Sequence, residues 1–508
     1  MLQVTDIVLI NYFKWRQKQI EKVFNHPMQF QNKILKRILK ENATTIYGQK
    51  HNFNKLNSYE AFAQNVPVVN YEDIFPYIKQ GLEGEKNILT HNNTNWYAKS
   101  SGTSNDRSKY IPVTPSYLKR GHLKCAWDAA SFIYNEDPSA KLFADKSLIM
   151  GGAIQKINDT IYTGDISAII LHHFPKIGRR FYTPDFETAL MPKWDDKITR
   201  MAEITAKENV TLLAGVPSWT LVLLKRILAI TKKNNISEVW PNLRSFLHGG
   251  VGFEPYRSEF KELIPSPNVI YRENYNASEG YFAIQNNTNF DGMLLLCDHE
   301  IFYEFIPFSD IDSPNPRCIP LDQTEPNEKY ALVISTTSGL YRYRIGDVIQ
   351  MVQCKPYKIK VVGREQEYIN VFGEEVNVHN SDKALAMTCE HFGVSISQYS
   401  VGPVFLTNDQ LGGHEWVVEF EKEPHDIAGF ASLLDDNLKL INADYEAKRS
   451  FDLALSTLKM NAVPKGTFEK WLRNKNKYGG QNKVPRLKND RIIIDQILLN
   501  ATTLETSN

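Results

Sequence analysis

Between Trp96 and about Gln353 the chain changes its hydrophobic texture once, and that change constrains the fold more than any other feature. Short apolar runs (SLIM at 147–150, TLLAG at 211–215, RSFLH at 244–248, NVIY at 268–271) alternate with stretches of helical, amphipathic pattern. Short apolar runs bounded by turn formers read as buried strands, and a three-to-four residue period reads as helix. Alternation of the two produces a layered α/β architecture. Beyond Asp291 strand follows strand instead: MLLLC, FYEFI, YALVIST, YRYR, DVIQMV and KIKVV. These predict a β-rich subdomain that closes the large domain. After Gly363-Arg364 an extended piece, a helix, strands near 399–406 and 415–420 and helices near 427–458 predict a small α+β domain. The first ~65 residues are helical in pattern. The expected fold is therefore α/β, with a large multi-layer N-terminal domain over 1–365 and a small, mobile C-terminal domain over 366–508. The Ser/Thr-rich tail at 501–508 reads as frayed.

Composition narrows the function classes. In 508 residues, 59 Lys+Arg stand against 58 Asp+Glu, and 42% are hydrophobic. Such a chain is globular, not disordered, and lacks the basic excess of a dedicated nucleic-acid binder. Cys125, Cys297, Cys318, Cys354 and Cys389 are scattered, odd in number and without a Cys-x-x-Cys pair. They read as free thiols in a reducing compartment rather than zinc ligands or a disulfide framework. The opening segment has only a four-residue apolar run preceded by Asp6, and the longest uncharged stretch, 209–224, is broken by Gly215 and Pro217. Neither suits a signal peptide or a membrane span of ~20 apolar residues. A soluble cytoplasmic protein with no membrane and no nucleic-acid partner is expected.

Four segments carry residues suited to chemistry. Ser100-Ser101-Gly102-Thr103-Ser104-Asn105-Asp106-Arg107-Ser108-Lys109 sets four hydroxyls around a glycine, ahead of a lysine. Hydroxyl donors, close backbone approach at Gly102 and the charge of Lys109 suit an anion with several charged oxygens. The segment is not a P-loop, which needs a second glycine directly before the lysine. A polar surface turn is the alternative. Asn274-Tyr275-Asn276-Ala277-Ser278-Glu279-Gly280 follows NVIY, where an α/β sheet presents ligand sites. There Glu279 suits Mg²⁺ and Tyr275 suits a base, and the alternative is a capped helix start. In Tyr341-Arg342-Tyr343-Arg344-Ile345-Gly346-Asp347 the acid suits two adjacent ribose hydroxyls, or else an exposed hairpin turn. The fourth segment runs from Gly363-Arg364 to Val376 at the domain boundary.

In their order and spacing these segments resemble the adenylate-forming (acyl-activating) superfamily. Gly363 to Val376 aligns there without gaps, with Gln366 and Glu367 for two acids and Asn370 for a lysine. Closer still is the GH3 family of acyl acid amido synthetases, known from plant auxin- and jasmonate-conjugating enzymes. The tokens are SSGTS…K at 100–109, YNASEG at 275–280, YEFIP at 303–307, YRYRIGD at 341–347, GTF at 466–468 and GGQNKVPR at 479–486. Asn105-Asp106 departs from the glycine many relatives carry. The resemblance implies ATP and Mg²⁺, an acyl-AMP intermediate, and a small carboxylic acid and an amine, such as an amino acid, as substrates. It implies that Ser100, Ser101, Thr103 and Ser104 grip phosphates around Gly102, with Lys109 supporting them, and that Glu279 coordinates the metal. Tyr275 and Gly249-Gly250 would border adenine, with Asn276 and Ser278 beside them. Asp347 would hold the ribose, Arg364 would join the nucleotide set, and Lys483 would stabilise charge at the α-phosphate.

The acyl pocket is less legible. Gly164–Phe174 with His172-His173, the turn Val216-Pro217-Ser218-Trp219 and His248 are its candidates, although each histidine reads as packed and Trp194 and Trp219 as core. Adjacent histidines on a strand would point to opposite faces. An acyl-CoA ligase is the rival within the superfamily, and a non-catalytic nucleotide-binding regulator the rival of another class. Segment 465–491, with nine Lys/Arg against two acids, permits nucleic acid but reads as a solvated surface.

Overall fold

The computed structural model describes residues 2–505 except 92–93, 105–106, 141, 144, 177, 192, 251–252, 254–256, 312, 366–367, 375, 408–410, 450–454 and 476–483. Helices Leu2–Asn25 and Pro27–Glu41 open the chain, the second begun by a proline that suits the first helical turn. Ile34, Leu35, Ile38 and Leu39 recur on one face of it and are buried. Each such side chain stabilises by about 1.5–3 kcal/mol. Beneath them Gln31 Nε2 donates to the carbonyls of Cys297 and Ile301, both at 2.9 Å, and its Oε1 accepts from Tyr303 N. That amide satisfies backbone groups of the strand it covers and so sets the register between helix and sheet.

One unit is built on Met1–Ser100, Ser108–Phe253 and Phe260–Glu365, the other on Ser101–Arg107, Glu254–Glu259 and Gln366–Asn508. In the first, twelve strands among the described residues form one mixed sheet. Its parallel part runs through Tyr182–Thr183, Lys146–Ile149, Val210–Gly215, Ser245–His248 and Ile270–Ala277. From Ile270–Ala277 onward every pairing is antiparallel, through Gly280–Ile284, Met293–Leu295, Tyr357–Arg364, Tyr343–Cys354, Lys329–Thr336 and Ile301–Pro307 to Ile319–Pro320. The parallel part carries helices such as Pro217–Thr231 in its connections, and the antiparallel part is the β-rich extension. The α/β class read from the sequence holds.

Two local expectations do not. YRYR and DVIQMV are not two strands around a turn, because a single strand, Tyr343–Cys354, contains Asp347. Ala331 pairs with Val348 but Val333 with Arg344, so this strand bulges around Gly346, whose φ is +94°. A glycine removes the Cβ clash that such a bulge otherwise creates. The tail is helical through Glu505, as part of Ile492–Glu505, because its apolar run packs Ile494 and Ile497. The region near 427–458 gives helices Ile427–Ile441 and Ala443–Arg449, and an unforeseen strand follows at Lys459–Val463.

In the second unit Ser395–Val404 pairs antiparallel with Gly413–Lys422, which pairs parallel with Lys459–Val463. Val417, Phe468, Trp471, Ile494 and Ile497 form its core. Among the described residues no helix is long and apolar enough to cross a membrane.

Candidate functional site

Ile270–Ala277 is the strand at which the large sheet passes from parallel to antiparallel, and it turns through Ser278-Glu279 into Gly280–Ile284. The YNASEG segment is thus a β-hairpin, not a capped helix start. Asn and Ser favour both structures, and the antiparallel pairing of Asn274 with Ile284, Tyr275 with Ala283 and Ala277 with Gly280 decides for strand. Glu279 is buried at 5% exposure. Burial pushes its carboxyl pKa up, the cations Lys109 and Arg364 pull it back, and Asp347 adds to the rise. Its backbone carbonyl accepts from Tyr117 Oη at 2.7 Å.

Asp347, 72 residues after Tyr275, comes into contact with it. Its Oδ2 accepts from the Tyr275 hydroxyl, and its Oδ1 lies 2.6 Å from Arg364 Nε on the neighbouring strand. Burial pushes the Tyr275 phenol well above its ordinary value, so it stays a donor. Its ring packs on Phe282 at 4.7 Å. The expectation of an exposed turn acid at Asp347 is therefore corrected: the residue is 4% exposed and sits in a strand.

Gly249-Gly250 ends the neighbouring strand Ser245–His248. A Cβ on Gly249 would run into the Asn274 carbonyl, and Gly250 has φ +84°. Gly249 lets the backbone pass close to Asn274, and Gly250 supplies the left-handed turn beside Val216. Asn276 Oδ1 is buried and has no hydrogen-bond partner among the described residues. An unfilled buried acceptor is costly unless something binds it.

The Ser/Thr-rich segment is a strand pair, Trp96–Ser104 and Arg107–Pro112, rather than a loop after a strand. Ser100 is half-buried, while Asn105-Asp106 and the side chains of Ser101, Thr103 and Ser104 lie outside the described residues, as does Lys483. Gln366 and Glu367 lie outside them too. Lys109 is half-buried, with its ammonium 5.7 Å from the Tyr71 ring centre.

His248 is packed as expected, while His172 and His173 are placed differently. His172 ends helix Ile166–His172 and His173 caps it, so they are not on a strand. Both rings lie 4.8 Å from Trp96, a partly exposed aromatic cluster that includes Tyr162. His248 is buried and stacked on Phe253 at 4.0 Å, as a packed histidine. A cavity of about 250 Å³ lined by Tyr77, Lys86, Thr90 and Tyr97 contains none of the predicted site residues.

Two features escaped the sequence reading. The acid of YEFIP and the first arginine of YRYR pair with each other: Arg342 Nε donates to Glu304 Oε1 at 3.0 Å, both groups being buried. That pairing gives Glu304 and Arg342 a structural role. Asp128, Asp298 and His299 also converge, with His299 3.1 Å from Asp128 and 2.9 Å from Asp298. Arg16 grips Asp128 and Lys124 grips Asp298, so the carboxylates already have counter-ions and the group is an ion network rather than a metal centre.

Comparisons with known proteins place the whole chain in one family. A model described as the GH3 family N-terminal domain matches residues 16–183 and 150–269, the GH3 family central domain matches 294–364, and the GH3 family C-terminal domain matches 379–492. An indole-3-acetic acid-amido synthetase of Arabidopsis thaliana is 22% identical over 92% of this chain and 90% of its own. A jasmonoyl–L-amino acid synthetase of Nicotiana attenuata is 22% identical over 87% of this chain and 88% of its own. A solved acyl acid amido synthetase in complex with 2,4-DB aligns with a TM-score of 0.63 at 18% identity, covering 96% of each chain. A 2-hydroxyisobutyryl-CoA ligase with 2-HIB-AMP and CoA aligns at 0.54 and 14% identity, over 94% of this chain and 91% of its own. The two structures share the fold.

Proposed function

Because the chain belongs to the GH3 family, whose models match it from residue 16 to residue 492, we propose that it is an ATP-dependent acyl acid amido synthetase. In the first half-reaction a carboxylate oxygen of the acid attacks the α-phosphorus of ATP. The bond to the bridging oxygen breaks and pyrophosphate leaves. In the second, an amine attacks the acyl carbon, AMP departs with the bonding pair, and the amine loses a proton to solvent. A free carboxylate would have to expel oxide or hydroxide; AMP is the better leaving group. The protein contributes positioning and neutralisation of developing charge.

The residues present suit these substrates. Asn276 Oδ1 offers its unfilled acceptor to the exocyclic amine of adenine, and Gly249-Gly250 would border the ring. Asp347 uses one lone pair on each oxygen for Tyr275 and Arg364, which leaves acceptors for ribose hydroxyls. Ser278, beside Asn276 on the hairpin, would contribute a hydroxyl. Glu279 fits Mg²⁺: the ion is held by one or two carboxylates plus phosphates, and a buried acid whose pKa burial has raised lacks a full counter-charge. Bound there, Mg²⁺ would offset phosphate charge. Ser100, Ser101, Gly102, Thr103 and Ser104 would surround the phosphates, Lys109 would set the field at Glu279, and Lys483 would approach the α-phosphate with a mobile C-terminal domain over 366–508. The five free cysteines suit a reducing cytoplasm.

One observation carries the reading: Tyr275, Asp347 and Arg364, from three motif segments, meet around a single buried carboxylate near the switch strand. The test is to cross a panel of carboxylic acids with amino acids and with CoA, and to identify products by mass. Amide, AMP and pyrophosphate in equal amounts are expected. Acyl-CoA with no amide would favour the ligase suggested by the second structural neighbour, and ATP binding without turnover would favour a regulatory protein.

A further inference from the structure

We propose that Tyr117 and Ser338 are positioning residues that hold the nucleotide-facing segments in register, and that Tyr117 acts on the phosphate end of the site through the Glu279 turn. The proposal rests on the nucleotide reading above. Tyr117 is 1% exposed and ends the short helical turn Pro115–Tyr117, directly after the strand Arg107–Pro112. Thr114 Oγ1 caps that turn by accepting from Tyr117 N at 3.3 Å. The Tyr117 hydroxyl donates to the Glu279 carbonyl at 2.7 Å. The next residue is Gly280, where a Cβ would come within 2.6 Å of the same hydroxyl. A side chain at 280 would therefore push the ring and the turn apart.

The same short segment is tied on its other side. Ser338 Oγ donates to the Pro112 carbonyl at 2.7 Å and accepts from Thr114 N at 2.9 Å. Ser338 is 1% exposed and lies in the turn between Lys329–Thr336 and Tyr341, just ahead of the strand bearing Asp347. Residues 112–117 thus connect the strand carrying Lys109, the Glu279 turn and the approach to Asp347. Both links are buried, where water does not replace a lost partner cheaply. Without the Tyr117 hydroxyl, the Glu279 carbonyl loses its donor and the two-residue turn shifts to find another. Tyr275 and Asp347 keep each other and Arg364, so the nucleoside end stays in place. The loss falls on the phosphate end.

The experiment is calorimetric titration of the full chain with MgATP and, separately, with AMP. Tyr117→Phe is expected to weaken MgATP about tenfold and AMP by less than about twofold, the size of one lost buried hydrogen bond expressed at one end. Ser338→Ala should act in the same direction and carries the test if Tyr117→Phe does not fold. Tyr182→Phe, which removes a buried hydroxyl that donates 2.8 Å to the Ile149 carbonyl, is the control for a purely structural loss. It should lower the melting temperature and leave the ratio of the two affinities unchanged. Equal weakening of both probes, or of neither, in Tyr117→Phe and Ser338→Ala overturns the positioning role while the nucleotide reading stands. If the wild-type chain binds neither probe, the nucleotide reading falls and the positioning role with it.

Discussion

Replacing Glu304 by Gln isolates the buried pair that joins two of the motif segments. The Glu304 carboxylate accepts from Arg342 Nε at 3.0 and 3.1 Å and lies 2.9 Å from Nη2. Arg342 also donates to the carbonyls of Ala63 and Val66, each at 2.7 Å, and holds a left-handed backbone with φ 45°. The amide keeps the shape and one acceptor but removes the counter-charge from a guanidinium that cannot deprotonate. Breaking one side of a buried ion pair costs about 3–5 kcal/mol. In a unit of about 350 residues, that corresponds to a fall of roughly 4–7 °C in melting temperature. Differential scanning calorimetry of wild type, Glu304→Gln and the double variant Glu304→Leu/Arg342→Met measures it. The double variant should recover most of the loss, since replacing both partners by apolar groups of similar volume is often near neutral. Burial pushes the Glu304 carboxyl upward while Arg342 pulls against it. A loss under about 1 kcal/mol in the single variant would mean burial had won and the acid was already neutral, which refutes the ion-pair argument.

Other outcomes follow from the same contacts. Asp347→Asn removes the charge that holds Arg364 and turns one of its two acceptor oxygens into a donor, so AMP and MgATP should both weaken, by about ten- to a hundredfold for a charge-assisted bond. Calorimetric titration checks this, and unchanged AMP affinity would move the ribose contact elsewhere. The Asp128–Asp298–His299 network sets a pH window. Burial opposes charge on both acids, but Arg16, Lys124 and His299 outweigh it and hold them below the ordinary carboxylate range. Their contribution is complete above about pH 4 and is lost as pH falls through the depressed values. Burial likewise opposes His299, yet Cys125, Asp298 and Asp128 raise it well above its ordinary value. Its contribution is complete below about pH 6.5 and is lost as pH rises through that raised value. Urea midpoints across this range should therefore decline on both sides, and His299→Gln should remove the alkaline decline. A midpoint that stays flat below about pH 4 and above about pH 6.5 would show that the network does not control stability.

What the sequence revealed and what it hid have different physical origins. The buried strands were legible because Leu148, Phe246 and Leu213 lie in short apolar runs that only a sheet interior accommodates. Glu279 and Asp347 were legible as chemistry, since an acid beside turn formers is unusual in a packed sheet. Their meeting was not, because it depends on strand order and register over 60 residues or more. The hairpin at Ser278-Glu279 could not be told from a helix cap, since the same residue types serve both. The role of Arg342 was invisible for a similar reason: its partner Glu304 lies two strands away, on Ile301–Pro307.

The residues that aim the site carry no chemical signal of their own. Gly346 supplies the positive φ that bulges the strand, and without the bulge the alternation along Tyr343–Cys354 would turn Asp347 to a different face. Gly280 admits the Tyr117 ring, and Ser338 anchors the turn from which it projects. A sequence exposes which groups can react, because reactivity belongs to the side chain. It conceals which groups face one another, because that belongs to backbone register. In this protein the register is held by a few small or neutral residues, so the candidate site depends on Gly346 and Tyr117 as directly as on Glu279 and Asp347.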